Sequence, residues 1–151
     1  MDYELIAEQT NVESNSLLHV TQALEVVIAW SVEGDDVSRK LSSLRFATEL
    51  FQRHLERLFA LEELDGYMDT VCHVNPEVTD QVDDLKCEHE QFRAAVRILV
   101  LQLDRASPTN RAKLDAIGKD LQDVIQQIRD HSHRERDLLV ECFNRDSGGE
   151  G

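Results

Sequence analysis

Apolar residues recur every three to four positions along almost the whole chain, and this period predicts helices throughout. Four long stretches carry it. The first is expected to start behind Thr10, with Glu13 three residues on as a capping box, and to run to about Val32. Gly34-Asp35-Asp36 breaks it, and an Asp there can cap a second helix from about Val37 to Leu64. Asp65-Gly66 opens a second break that ends near Asn75-Pro76. A third helix follows from Pro76 or Thr79 to about Arg105. Ser107-Pro108 repeats the cap-then-proline signal ahead of a fourth helix to about Asn144, and Ser147 to Gly151 reads as a frayed polar tail. Ile98 to Leu101 is a short apolar run, but it continues the third helix's periodicity. No strand signal competes. Breaks this short favour antiparallel neighbours. The fold class is therefore all-α, an up-down antiparallel four-helix bundle, as a single domain over residues 1–151 with its core at about residues 11–144.

Residues three and four apart share a helix face, so each histidine can be placed. His19 is in register with Val12, Ala23, Val26, Val27 and Trp30. His54 is in register with Ala47, Phe51, Leu58 and Leu61. His89 lies between Val82 and Leu85 on one side and Phe92 and Val96 on the other. His131 follows Leu121, Val124 and Ile128 and precedes Leu138 and Cys142. Each helix thus directs one histidine inward. Glu62 and Glu135 share these apolar faces. His73 reads as a loop residue, and His133 faces solvent beside Arg129, Asp130 and Asp137. In an antiparallel bundle His19 and His89, early in their helices, lie at the same end as His54, Glu62, His131 and Glu135, late in theirs. At about 1.5 Å per residue, all six fall within a few turns of one end.

Composition narrows the partners. The chain has 151 residues, enough for one core, with 41% hydrophobic and 30% charged residues. Its net charge of -14 repels phosphate backbones and anionic lipid, so neither nucleic acid nor membrane is an expected partner. No apolar run approaches the roughly 20 residues of a membrane span. The first residues show no basic region ahead of an apolar stretch, as a signal peptide would. Three cysteines, Cys72, Cys87 and Cys142, without a CxxC motif suit reduced thiols in a cytoplasmic setting. Cys142 falls on an apolar face, as a core residue would.

A lone histidine on an apolar face is usually a core residue with one hydrogen bond. Four, one per helix and at one end, are another matter. Burying four imidazoles and two carboxylates without partners costs several kcal/mol, to order of magnitude. A bound cation removes that cost by taking imidazole nitrogens and carboxylates as ligands. The candidate metal ligands are His19, His54, Glu62, His89, His131 and Glu135. Mixed donors of this kind suit iron, manganese or zinc better than calcium or magnesium.

The same residues resemble a known family. Glu88-His89-Glu90-Gln91-Phe92-Arg93 is similar to the Glu-His segment of the hemerythrin-like (HHE cation-binding) proteins. His131-Ser132-His133-Arg134-Glu135 resembles their His-x-x-x-Glu motif, and Phe59-Ala60-Leu61-Glu62-Glu63 the carboxylate half of their His-Phe-Ala-x-Glu-Glu motif. His19 fits the first-helix ligand. The likeness spans Asn15 to Cys142. It implies a four-helix bundle with a non-haem di-iron centre and, as partners, metal ion and dioxygen. Three positions depart from the pattern: Leu58 where the second-helix motif has its histidine, Leu85 where the oxygen-carrying branch has a further histidine, and Arg136 where that branch has an aspartate ligand, so the oxygen-carrier set is incomplete. His54, one turn before Leu58, replaces the missing imidazole if the site is shifted by about 5.4 Å.

Two functions remain open. One is a metal-binding module, with di-iron or mononuclear iron, that binds or senses oxygen or iron. The other is a metal-free bundle that serves structure or protein interaction. Enzyme activity is not expected, since no nucleophile-base pair, phosphate loop or cofactor motif is present.

Overall fold

The computed structural model describes residues 3–64 and 66–148. Among the described residues there are five helices: α1 Tyr3–Ala29, α2 Asp36–Glu63, the short α3 Tyr67–Val74, α4 Thr79–Arg105 and α5 Arg111–Gly148. A single 3₁₀ turn, Pro76–Val78, leads into α4, and no strand occurs among the described residues. The four long helices form the expected all-α bundle. α1 packs on α2, α2 on α4, α4 on α5, and α5 closes back on α1. Hydrogen bonds between opposite ends fix the antiparallel sense. The Lys40 ammonium near the start of α2 donates to the carbonyls of Ile28 (3.0 Å) and Trp30 (2.7 Å) at the end of α1. Arg45 Nε donates to the Leu103 carbonyl at the end of α4 (2.8 Å).

Several boundaries differ from those read in the sequence. Thr10 is not a cap: its hydroxyl donates to the Ile6 carbonyl (2.7 Å) inside α1. The residues before it contain no helix breaker, so nothing stops the helix from starting at Tyr3. At its other end α1 stops at Ala29, three residues short of Val32. Asp35 stands at the cap of α2 without a side-chain capping bond. The turn is closed by backbone bonds instead, around Gly34 at φ +61°, a conformation that glycine adopts without strain. Ser107 and Pro108 form a turn ahead of α5, and Asn110 takes the capping role, its Oδ1 accepting from the Lys113 amide (3.1 Å). Asn75 Oδ1 accepts from the Glu77 amide (3.2 Å) ahead of Pro76, as that pair predicted. α3 is an addition. Met68 and Val71, three apart, are buried and turn the expected connection into a helix, which places His73 on a helix rather than in a loop. Asp65, Gly149, Glu150 and Gly151, named in the predicted break and tail, lie outside the described residues, as do Met1 and Asp2.

The core has two parts. The larger contains Leu24, Leu44, Phe51, Phe92, Ile117 and Leu121. The smaller gathers Met68, Val71, Val82, Leu85, Leu138 and Cys142 around α3. Along α4, His89 comes between Leu85 of the second and Phe92 of the first. Along α5, His131 and Glu135 come between Ile128 of the first and Leu138 of the second. A polar layer therefore separates two apolar ones.

The α1–α5 seam is held by a charged contact. Arg129 donates to both Glu25 carboxylate oxygens, and Gln122 adds a longer bond (3.3 Å). The arginine holds the Glu25 carboxyl below its usual range, against the opposing effect of burial. A lowered folded value means that the stabilisation is present above the unfolded value and is lost as pH falls through the folded one. Glu25→Gln is expected to cost under about 1 kcal/mol near neutral pH, and less at an acid pH where the carboxyl is protonated in the folded state. Urea unfolding at the two pH values checks this.

Candidate metal centre

Three helices build the chamber. Glu62 comes from the last turn of α2, His89 from α4, and His131 and Glu135 from α5, one turn apart. Both histidines are 0% exposed, and the two glutamates are buried. Nε2 of His89 lies 3.3 Å from Glu62 Oε2 and 3.6 Å from Glu135 Oε1, and Nε2 of His131 is in contact with that same Glu135 oxygen. One donor atom each from His89, His131 and Glu135 lies within 4.8 Å of the others.

The rings are held from behind. Glu63, next to Glu62 but turned towards α4, accepts from His89 Nδ1 (2.8 Å). Glu88, next to His89 but turned towards α5, accepts from His131 Nδ1 (3.0 Å). α2 and α4 thus each carry a carboxylate that holds the histidine of the next long helix. Arginines anchor these carboxylates in turn: Arg93 on Glu63 (2.8 Å) and Arg134 on Glu88 (2.9 Å). Phe59 stacks on His89 at 3.8 Å between centroids and 10° between planes, and Phe92 meets His131 edge-on at 5.3 Å. With Nδ1 turned outward to a carboxylate, each ring points its Nε2 to the centre, where a cation would take it as a ligand.

His89 Nε2, His131 Nε2 and Glu62 Oε2 are buried and make no hydrogen bond. Close approach without hydrogen-bond geometry is what donors arranged around a common ion show. An imidazole and carboxylate set is also the chemistry that a transition-metal ion takes. The residues present therefore fit a cation.

Electrostatics agree. Burial and the neighbouring Glu135 push the Glu62 carboxyl up to about 8, against the opposing pull of His89. Burial pulls the His89 imidazolium down, but Glu135, Glu62 and Glu63 outweigh it and raise it to about 9. Burial would also raise Glu135, but the adjoining His131, His89 and Glu62 hold it well below the carboxylate range. Without a cation, protons on His89 and Glu62 balance the chamber, and a cation must displace them.

A model of the hemerythrin HHE cation-binding domain matches residues 18–143. The chain belongs to that family. No curated protein and no solved structure matches it. The family's cation-binding character agrees with the His/Glu cluster. Of the three departures from the oxygen-carrying hemerythrins, Leu58 and Leu85 are buried among apolar side chains, and Arg136 is exposed. None of them adds a donor to the chamber.

Two of the six predicted ligands lie elsewhere. His19 is exposed on α1. This helix carries two apolar stripes, and the buried one is Leu17, Thr21 and Leu24; Val12 and Val26, in register with His19, are exposed. His54 sits at the edge of the α2 core stripe, where its Nδ1 bonds Glu13 of α1 (2.8 Å). It therefore does not replace an imidazole at Leu58. His133 is exposed, as read from its neighbours. Sequence reasoning missed Tyr67, whose hydroxyl donates to Glu135 Oε2 from α3. Burial and the Glu135 and Glu62 charges raise this phenol far above its ordinary range, so it stays a donor. Gly66 makes that approach possible: a Cβ there would stand 2.1 Å from the Leu61 carbonyl oxygen.

Proposed function

We propose that this hemerythrin-family protein holds a single non-haem iron ion and uses it to bind or sense dioxygen or iron. His89, His131 and Glu135 are the ligands, and Glu62 is the fourth donor. The observation that carries this reading is the pair of buried Nε2 atoms without hydrogen bonds, facing two carboxylates. Two imidazoles and a carboxylate with an open position are the donor set of non-haem ferrous sites. A second ion would need further donors, and the positions that supply them in the oxygen carriers hold Leu58, Leu85 and Arg136. Bound iron would supply a redox-active, Lewis-acidic centre. The chain's own part is to orient the rings through Glu63 and Glu88, to donate a hydrogen bond from Tyr67 to Glu135, and to exclude water with Phe59 and Phe92.

The sparse cysteines, Cys72, Cys87 and Cys142, without a CxxC motif support a reducing, cytoplasmic setting. No described helix is long and apolar enough to cross a membrane. Elemental analysis of protein purified without chelator, followed by anaerobic ferrous titration with an optical readout, tests the proposal. Uptake should break at one ion per chain. A break at two supports the dinuclear reading instead. Clean protein that takes up no iron defeats both and leaves the metal-free bundle.

A further inference from the structure

A second site lies outside the metal chamber. α1 leans on α2 and leaves a groove of about 510 Å³ against α5. This volume is within the usual range for small-molecule sites. Its floor is apolar: Leu17, Phe51, Leu58 and Ile128. Its charge is unusual for this chain. The protein has 30 acidic and 16 basic residues, yet no carboxylate lines the groove, while Arg129, His133 and Arg136 do. Arg129 is neutralised by Glu25. Arg136 and His133 make no hydrogen bond or ion pair among the described residues, and both sit on the α5 rim. An arginine left without a partner among so many acids, above an apolar floor, is complementary to an anion with a hydrocarbon tail.

We propose that this groove binds an aliphatic monocarboxylate, with its head on Arg136 and its chain along Leu58 and Ile128. A planar carboxylate matches the guanidinium fork, which takes it bidentately. The floor adjoins the metal chamber: Leu58 is one turn before Glu62, and Ile128 is three residues before His131. Two of the departures from the oxygen-carrier ligand set, Leu58 and Arg136, therefore meet in one feature with its own chemistry. The groove is complete without a metal, so the inference does not depend on iron occupancy.

Calorimetric titration with octanoate, on the protein as purified and after chelation, tests it. Binding should survive chelation. Octanol, which lacks the charge, should bind at least about tenfold more weakly, and Arg136→Gln should weaken octanoate by a similar factor. Ser14→Trp, at an exposed α1 position on the rim, should plug the groove and abolish binding while the helical circular dichroism is unchanged. Four outcomes each overturn the proposal: no binding at millimolar octanoate, equal binding of octanol, indifference to both substitutions, or loss on chelation. The last would mean that the carboxylate binds metal rather than the groove, and it would leave the iron reading intact.

Discussion

Anaerobic addition of ferrous iron to the metal-free protein is expected to raise its thermal midpoint by about 8–16 °C once free metal reaches roughly a thousand times Kd. The magnitude follows from linkage. A ligand that binds only the folded state stabilises it by about 4 kcal/mol at that excess. In a chain of this size, each kcal/mol is worth about 2–4 °C. The donors are assembled only by folding, because they come from α2, α4 and α5. Calcium at the same concentration should shift the midpoint far less, since two of the donors are imidazoles. His89→Gln combined with His131→Gln keeps polar side chains in the chamber but removes both Nε2 donors. Its midpoint should not respond to iron. Circular dichroism establishes that the variant is folded before the comparison is made. If wild type and double variant respond alike, the chamber is not where the metal binds.

Weakening the carboxylates behind the rings should cost nearly as much. Glu63→Gln and Glu88→Gln are each expected to lower iron affinity by about 10- to 100-fold, the usual effect of removing such a partner. The glutamine carbonyl still accepts from Nδ1, so the rings keep their direction. What is lost is the negative charge that makes Nε2 a stronger donor, together with the anchor of Arg93 or Arg134. Glu90→Gln is the matched control. Glu90 also pairs with Arg93, but it is exposed and touches neither imidazole. Competition titration against a coloured chelator reads all three. Equal affinities for the Glu63, Glu88 and Glu90 variants would show that the Nδ1 contacts orient nothing the metal feels.

The long helices were legible because their apolar period is regular and their breaks hold glycine or proline. His89 and His131 were legible for the same reason: each lies on an apolar stripe that continues on both sides of it, Leu85 and Phe92 around His89, Ile128 and Leu138 around His131. α1 did not offer that. Its residues are apolar on two faces, and periodicity alone does not say which one packs, so His19 was assigned to the stripe that faces solvent. His54 lies at the margin of a stripe, and there a neighbouring helix decides: Glu13 takes it. Tyr67 was out of reach for a different reason. It acts through α3, whose eight residues owe their helical form to burial of Met68 and Val71, a tertiary effect. The sequence suggested that Glu63 and Glu88 stood near ligands. It did not say which imidazole each would hold, because that depends on how α2, α4 and α5 are set against one another.

The first helix donates nothing to the chamber. Its ties include the Glu13 and Glu25 contacts, the Lys40 bond to the Ile28 carbonyl and one apolar stripe on its inner side. Its outer side, with Val12, Leu18 and Val26 in water, is consequently free of any coordination duty. Sequence change there can remodel what the molecule touches without retuning the ion it carries, so recognition and chemistry are separable in this architecture.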